Sequence, residues 1–168
     1  MRSTAFIDCD SASIQEKTRD LTTRGQEDAI EKAKSLFYFV RDRIKYDIYV
    51  PKHLPEYFQA SNVLSRGTGY CVHKAVLLAA LARAAGIPAR LRFARIRNNL
   101  LPKKTLSWLG TNVLPFHGYA ELYVDGKWVK STPALDLKMS VRTKLFQLNL
   151  MVRMMLCSTV TTKKANYI

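Results

Sequence analysis

Residues 67–90 read GTGYCVHKAVLLAALARAAGIPAR, and this stretch decides the fold. From Cys71 to Ala85 the apolar positions Val72, Ala75, Val76, Leu78, Ala79 and Ala82 cover nearly every side of a helix, so that helix is expected to be buried rather than amphipathic. Both of its ends are marked. Gly67 and Gly69 lie just before it, while Gly86 followed by Ile87-Pro88 supplies a residue that tolerates positive φ and a proline that stops the helix.

Working upstream, Ile30, Ala33, Phe37, Val40 and Ile44 recur at three- and four-residue spacing and predict a helix over Gln26 to Tyr46. Thr23 with Gln26 three residues later reads as a capping box at its start. A shorter helix is expected from Ser11 or Ser13 to about Leu21, with Ile14 and Leu21 inward, and Pro51 and Pro55 mark a loop. Working downstream, Ala89 to Ile96 alternates and reads as a strand, and Asn98 to Pro115 reads as a loop. His117 to Val124, the dipeptide Asp125-Gly126, and Lys127 to Thr132 then predict a hairpin with a type I′ turn. Counting outward from that turn pairs Val124 with Lys127, Tyr123 with Trp128, Glu121 with Lys130 and Tyr119 with Thr132. Helices come first and strands after.

The chain has 168 residues, 48% of them hydrophobic and 24% charged, which suits one domain with an ordinary core. No apolar run reaches the roughly 18 residues that a membrane span needs. Asp8 and Asp10 stand where a signal peptide is apolar, and a cytoplasmic protein is the expectation. Three cysteines, Cys9, Cys71 and Cys157, sit at long uneven spacings that fit neither a disulfide framework nor a zinc site. No metal or cofactor is expected, and His53, between prolines, has no ligand partner at metal spacing.

The formal net charge is +14. Six of the basic residues fall after Leu137 with no acid among them, and nine more fall between Tyr57 and Ala120, again with no acid. Such a balance attracts anions, but no nucleic-acid motif accompanies it, so nucleic acid is not the expected partner.

Cys71 opens the buried helix behind a glycine-bearing turn. Unpaired backbone N–H groups, the positive end of the helix dipole and the surrounding Lys and Arg all favour a thiolate there. Read alone, Cys71 is equally a small buried residue under a turn. His117, 46 residues on at the start of a strand, supplies the second half of a thiol-imidazole pair if the fold joins the two. His73, two positions after Cys71, falls on another side of the helix and reads as structural or surface.

The run Ala60-Ser61-Asn62-Val63-Leu64-Ser65-Arg66-Gly67-Thr68-Gly69-Tyr70-Cys71, its continuation to Arg90, and His117 to Val124 followed by Gly126-Lys127-Trp128 closely resemble the core of the transglutaminase-like superfamily. Phe39 to Tyr46 resembles the helix these domains place before that core. The resemblance spans roughly residues 5–136. It implies a papain-like α+β arrangement with the cysteine-bearing helix packed on an antiparallel sheet that presents the histidine. By position Cys71 matches the nucleophile and His117 the general base and acid. The third member departs from the family pattern, since Thr132 stands where an Asp is usual. A hydroxyl can orient the imidazole but cannot stabilise its cation by charge. Asp136 could substitute only if the chain turned back toward His117. The backbone N–H of Cys71 is the first oxyanion donor that the resemblance implies, with Tyr70 and Asn62 as candidates for the second, and Tyr119 as a wall of the substrate cleft.

Residues 1–136 therefore read as one transglutaminase-like domain and 137–168 as an atypical tail. Four of the five methionines lie in that tail, and no strand or helix period survives there. Read one nucleotide out of phase, the codons open to Ser140–Ser158 allow text with acids and an Asn-Gly turn, similar to what certain transglutaminase-like proteins carry. The expectation is a reading frame shifted near Met139, so that the native final strands are missing. Functionally, the chain reads as a cysteine enzyme forming an acyl-thioester on a peptide or carboxamide, with an acidic peptide or protein as a fitting substrate. The alternative is an inactive module of the same fold that binds an anionic partner such as nucleic acid.

Overall fold

The computed structural model describes residues 1–22, 28–97, 103, 106–107 and 110–134. The proposed capping box at Thr23, Trp108, Asp136 and the tail from residue 137 lie outside the described residues.

Three helices precede the central one. α1 spans Ala12–Thr22 with Ile14 fully buried. α2 spans Ala29–Arg43 and buries Ala33, Leu36, Phe37 and Val40. It is shorter at both ends than its apolar spacing predicts. Asp28 caps it, accepting a hydrogen bond from the backbone N–H of Glu31 at 2.8 Å. At the other end Ile44 is already extended, and Lys45–Tyr46 forms a short strand, β1. A 3-10 turn over Pro55–Phe58 leads into α3, Ala60–Arg66, a helix the sequence reading did not anticipate. Its first turn receives help from far away, because the buried carboxylate of Asp8 accepts a hydrogen bond from the N–H of Ser61 at 3.2 Å. β2, Thr68–Gly69, pairs in parallel with β1, so Tyr46 lies opposite Gly69.

α4, Cys71–Ala84, is the centre of the molecule, and every residue from Val72 to Ala82 is buried. Its alanines Ala75, Ala79, Ala80 and Ala82 have no exposed surface, so neighbouring elements pack close on all sides. α1, α2 and α3 lie against it on one side, and the three-stranded sheet β3-β4-β5 lies against it on the other.

β3 spans Ala89–Arg97, β4 Val113–Val124 and β5 Lys127–Ser131, all antiparallel. The hairpin register is the one counted outward from Asp125-Gly126, running from Val124 opposite Lys127 to Ala120 opposite Ser131. Asp125 and Gly126 both have positive φ, at 52° and 74°, as a type I′ turn demands. The face toward α4 carries Ala120, Leu122, Val124, Val129 and Ser131, all buried. β4 begins at Val113, four residues before the expected start, because β3 continues far enough to pair with Val113 and Leu114. Phe93 alternates with Leu91 yet is 54% exposed. It pairs with Gly118 at the end of the sheet where α4 begins, and the helix reaches no further to cover it.

Candidate active site

Gly118 brings sheet and helix together. A Cβ there would stand 2.8 Å from Val72 Cγ2 and 2.9 Å from Val72 Cα, so β4 and the first turn of α4 touch backbone to backbone. The backbone N–H of Gly118 is among the groups that favour the thiolate of Cys71. The main chain at His117–Gly118 therefore meets Cys71, although the two lie 46 residues apart in sequence.

A bulge precedes the histidine. Ala94 pairs with His117 and Ile96 with Leu114, so Pro115 and Phe116 stand opposite the single residue Arg95. Phe116 takes the left-handed conformation, φ 59°, which a bulky side chain rarely adopts, and it is 77% exposed. Bulges of this kind bend a strand and re-aim the side chains beside them.

The sulfur sits in opposing fields. Burial pushes the thiol of Cys71 up, while the N–H groups of Gly118 and Val72, its own N–H and the ammonium of Lys52 favour the thiolate. Burial outweighs them and the net shift is upward, so the thiolate expected from the helix terminus and the local cations is not the favoured resting form. His117 is likewise pushed down, to about 4, by burial. Burial thus shifts both groups toward their neutral forms. No hydrogen bond joins Thr132 to the His117 ring among the described residues, and Asp136 lies outside them.

Two tyrosines interact electrostatically with Cys71. Tyr46 is pushed up to about 12 by burial and by the neighbouring Cys71 and Tyr70. The β1–β2 pairing places it there, since Lys45 N–H donates to Gly67 O at 2.9 Å and Asp47 N–H to Gly69 O at 3.1 Å. Lys74 holds the same arrangement from below. Its fully buried ammonium donates to Arg41 O at 3.0 Å and Ile44 O at 2.7 Å, satisfying carbonyls at the C-terminal end of α2 where β1 begins. Tyr70 caps α4, is raised by burial and by Cys71, and has Lys52 Nζ 5.4 Å from its ring centre.

His73 is structural. Its ring stacks on Phe58 at 4.6 Å, meets Tyr70 edge-on at 4.4 Å, and accepts a hydrogen bond at Nδ1 from Tyr70 N–H at 3.3 Å. Burial and the charges of Arg66 and Lys52 push it down to about 4. Of the remaining expected residues, Asn62 is exposed on α3 and spends its amide N–H donors on Glu56 O and Gln59 Oε1. Tyr119 is buried on β4 opposite Arg92.

Sequence reasoning passed over Tyr46, Lys52 and Gly118. The glycine after His117 was a legible signal; the positions of Tyr46 and Lys52 depend on β1 and the loop after it. No group of three or more candidate metal ligands occurs among the described residues, and no described helix is long and apolar enough to cross a membrane.

The family model of the transglutaminase-like superfamily matches residues 16–133. Two solved structures share the fold. A "Putative Cysteine Protease" from Cytophaga hutchinsonii aligns with a TM-score of 0.61 at 20% identity, covering 82% of this chain and 42% of that one. A "putative protease" from Parabacteroides distasonis aligns with a TM-score of 0.50 at 18% identity, covering 76% of this chain and 25% of that one. The chain thus spans less than half the length of either protein. No curated protein matches it. With a buried cysteine-bearing helix on an antiparallel sheet, and a family match that covers well over half of its length, the chain belongs to the transglutaminase-like superfamily.

Proposed function

We propose that the protein is a cysteine-dependent acyl-transfer enzyme acting on a peptide or carboxamide, with Cys71 as nucleophile and His117 as general base and acid. The observation that carries this reading is the close meeting of the first turn of α4 with the main chain at Gly118, the residue after His117, whose N–H favours the Cys71 thiolate.

The shifts toward the neutral forms suggest the order of events. Cys71 attacks the carbonyl carbon as His117 takes the thiol proton, forming a C–S bond and an oxyanion. The Cys71 N–H is the first donor to that oxyanion, and the hydroxyl of Tyr46, which interacts electrostatically with Cys71, is the candidate second donor, since Asn62 spends its amide donors on Glu56 O and Gln59 Oε1. The C–N bond then breaks as His117 returns the proton to the leaving nitrogen. Water or an amine attacks the thioester, His117 again accepting a proton, and the thiol is regenerated.

One observation favours the second reading, an inactive module binding an anionic partner. The His117 cation has no carboxylate partner among the described residues, and Thr132 supplies no charge.

Iodoacetamide labelling separates the two. On the enzyme reading, Cys71 alkylates faster than the buried Cys9, and His117→Ala slows Cys71 about a hundredfold without slowing Cys9. Equal, slow labelling in both proteins, read by mass mapping, supports the inactive module.

A further inference from the structure

A second candidate site lies at the far end of α4. A groove of about 340 Å³ is lined by Arg2, Thr4, Arg83, Pro88 and Trp128, among others, and none of its lining residues is an acid. Arg83 is oriented within it: Nε donates to Ala89 O at 2.9 Å and Nη1 to Arg2 O at 3.0 Å. A guanidinium has five N–H donors, so the rest of the fork is left to face a ligand. Trp128 is 40% exposed, and the guanidinium of Arg90 lies 4.0 Å from its ring centre. Glu121 pairs with Arg90 at 2.7 Å and Arg92 at 3.6 Å and offsets one of those two charges, but neither of these partners is Arg2 or Arg83, so the charge of the groove's own arginines stands.

Two measures place the groove relative to Cys71. Cys71 and Arg83 are twelve residues apart on α4, about 18 Å at the rise of an α-helix. Gly118 and Tyr123, the cross-strand partner of Trp128, are five apart on β4, about 17 Å along a strand. An extended peptide covers that distance in about five residues.

We infer that this groove is an exosite for an acidic segment of the acyl-donor protein, carried about five residues from the carbonyl that Cys71 attacks. The inference rests on the reading of Cys71 as nucleophile in making the bound protein the substrate. Two arginines, Arg2 and Arg83, lining one groove with an indole suit carboxylates on a short extended segment. They are too few and too localised to track the successive phosphates of a nucleic acid.

Two measurements test it. In the first, an acetylated, amidated Asp/Glu hexapeptide is titrated by calorimetry against the full chain, beside its Asn/Gln counterpart and a single-stranded oligonucleotide of equal charge. The acidic peptide binds, and binding weakens at least about fivefold in Arg2→Glu and at high salt. Arg2 contributes only its backbone carbonyl to the fold here, so this variant keeps the structure, and Lys32→Glu serves as a charge-matched control that leaves binding unchanged. No binding, an equal effect of the control, or preference for the oligonucleotide overturns the exosite. In the second, a chloroacetamide peptide with an acidic tail at five-residue spacing labels Cys71 at least about fivefold faster than the tail-less peptide, and Arg2→Glu removes the advantage. Rapid labelling by iodoacetamide with no gain from the tail overturns the exosite and leaves the nucleophile standing. Failure of every electrophile at Cys71 overturns the nucleophile instead, and the titration still decides the groove.

Discussion

The two ends of α4 are held in different ways. At Cys71 the helix is pressed against β4 so closely that a single methyl group on Gly118 has no room. At Ala84 the chain leaves through Gly86, which has positive φ, 82°, but open space around its Cα. One glycine is required for contact and the other for conformation. The tightly packed end carries the thiol and imidazole, and the open end carries the charged groove. Chemistry that depends on a sulfur meeting a strand needs the first arrangement; a surface that receives a flexible segment tolerates the second.

Substitution at the two glycines breaks this comparison most sharply. Gly118→Ala forces backbone apart at Val72 and is expected to cost about 3 kcal/mol or more, together with loss of preferential Cys71 labelling. Gly86→Ala is expected to cost only about 1 kcal/mol and to leave Cys71 labelling intact. Urea denaturation of both variants, with mass mapping of alkylation, checks the pair, and similar losses in both contradict the contrast.

Lys74 tests whether the Cys71 end depends on α2. Lys74→Met leaves the carbonyls of Arg41 and Ile44 buried without their donor, with an expected loss of about 2–3 kcal/mol by the same measurement. A neutral result means that the ammonium is replaceable and that β1 is positioned by other contacts.

Acid acts on the same end. His73 and His117 are both held near 4, below the ordinary 6.5, so between those values the unfolded chain binds protons that the folded chain refuses. Stability is therefore highest above pH 6.5 and falls as pH drops toward 4, by at most about 1.4 kcal/mol per pH unit for each histidine. Denaturation midpoints at pH 7.5 and 4.5 measure the fall, and His73→Phe should reduce it. A flat profile contradicts the burial of both rings.

The smallest expected effect is at Phe116. Because its φ is positive and its side chain is exposed, Phe116→Gly is expected to stabilise the fold by about 1 kcal/mol. Destabilisation instead shows that the aromatic ring packs on something the bulge needs.

Legibility followed the range of the interaction that builds each element. The hairpin's turn and register were readable, because Asp125-Gly126 closes it through backbone geometry alone and alternation then propagates the register, although the ladder stops at Ala120 opposite Ser131, one pair short of the expected Tyr119 with Thr132. α4 was readable because its apolar text admits only a buried helix. α3 and the β1–β2 pair were missed. The carboxylate bonded to the first turn of α3 is Asp8, 53 residues earlier in the chain, and two-residue strands carry no period to detect. The ends of α2 were overrun for a related reason, since Ile44 keeps the helical spacing while its backbone is already extended toward β1.

By itself the sequence determined α4, the hairpin and its register, and the two residues, Cys71 and His117, on which the chemistry is proposed to rest. Only the tertiary structure decided that Gly118 meets the first turn of α4, that Tyr46 and Lys52 act electrostatically on Cys71, and that burial shifts the thiol and imidazole toward their neutral forms. The physical reason is that pKa values and proximity depend on burial and on groups brought together from distant parts of the chain. Local spacing in the sequence encodes neither.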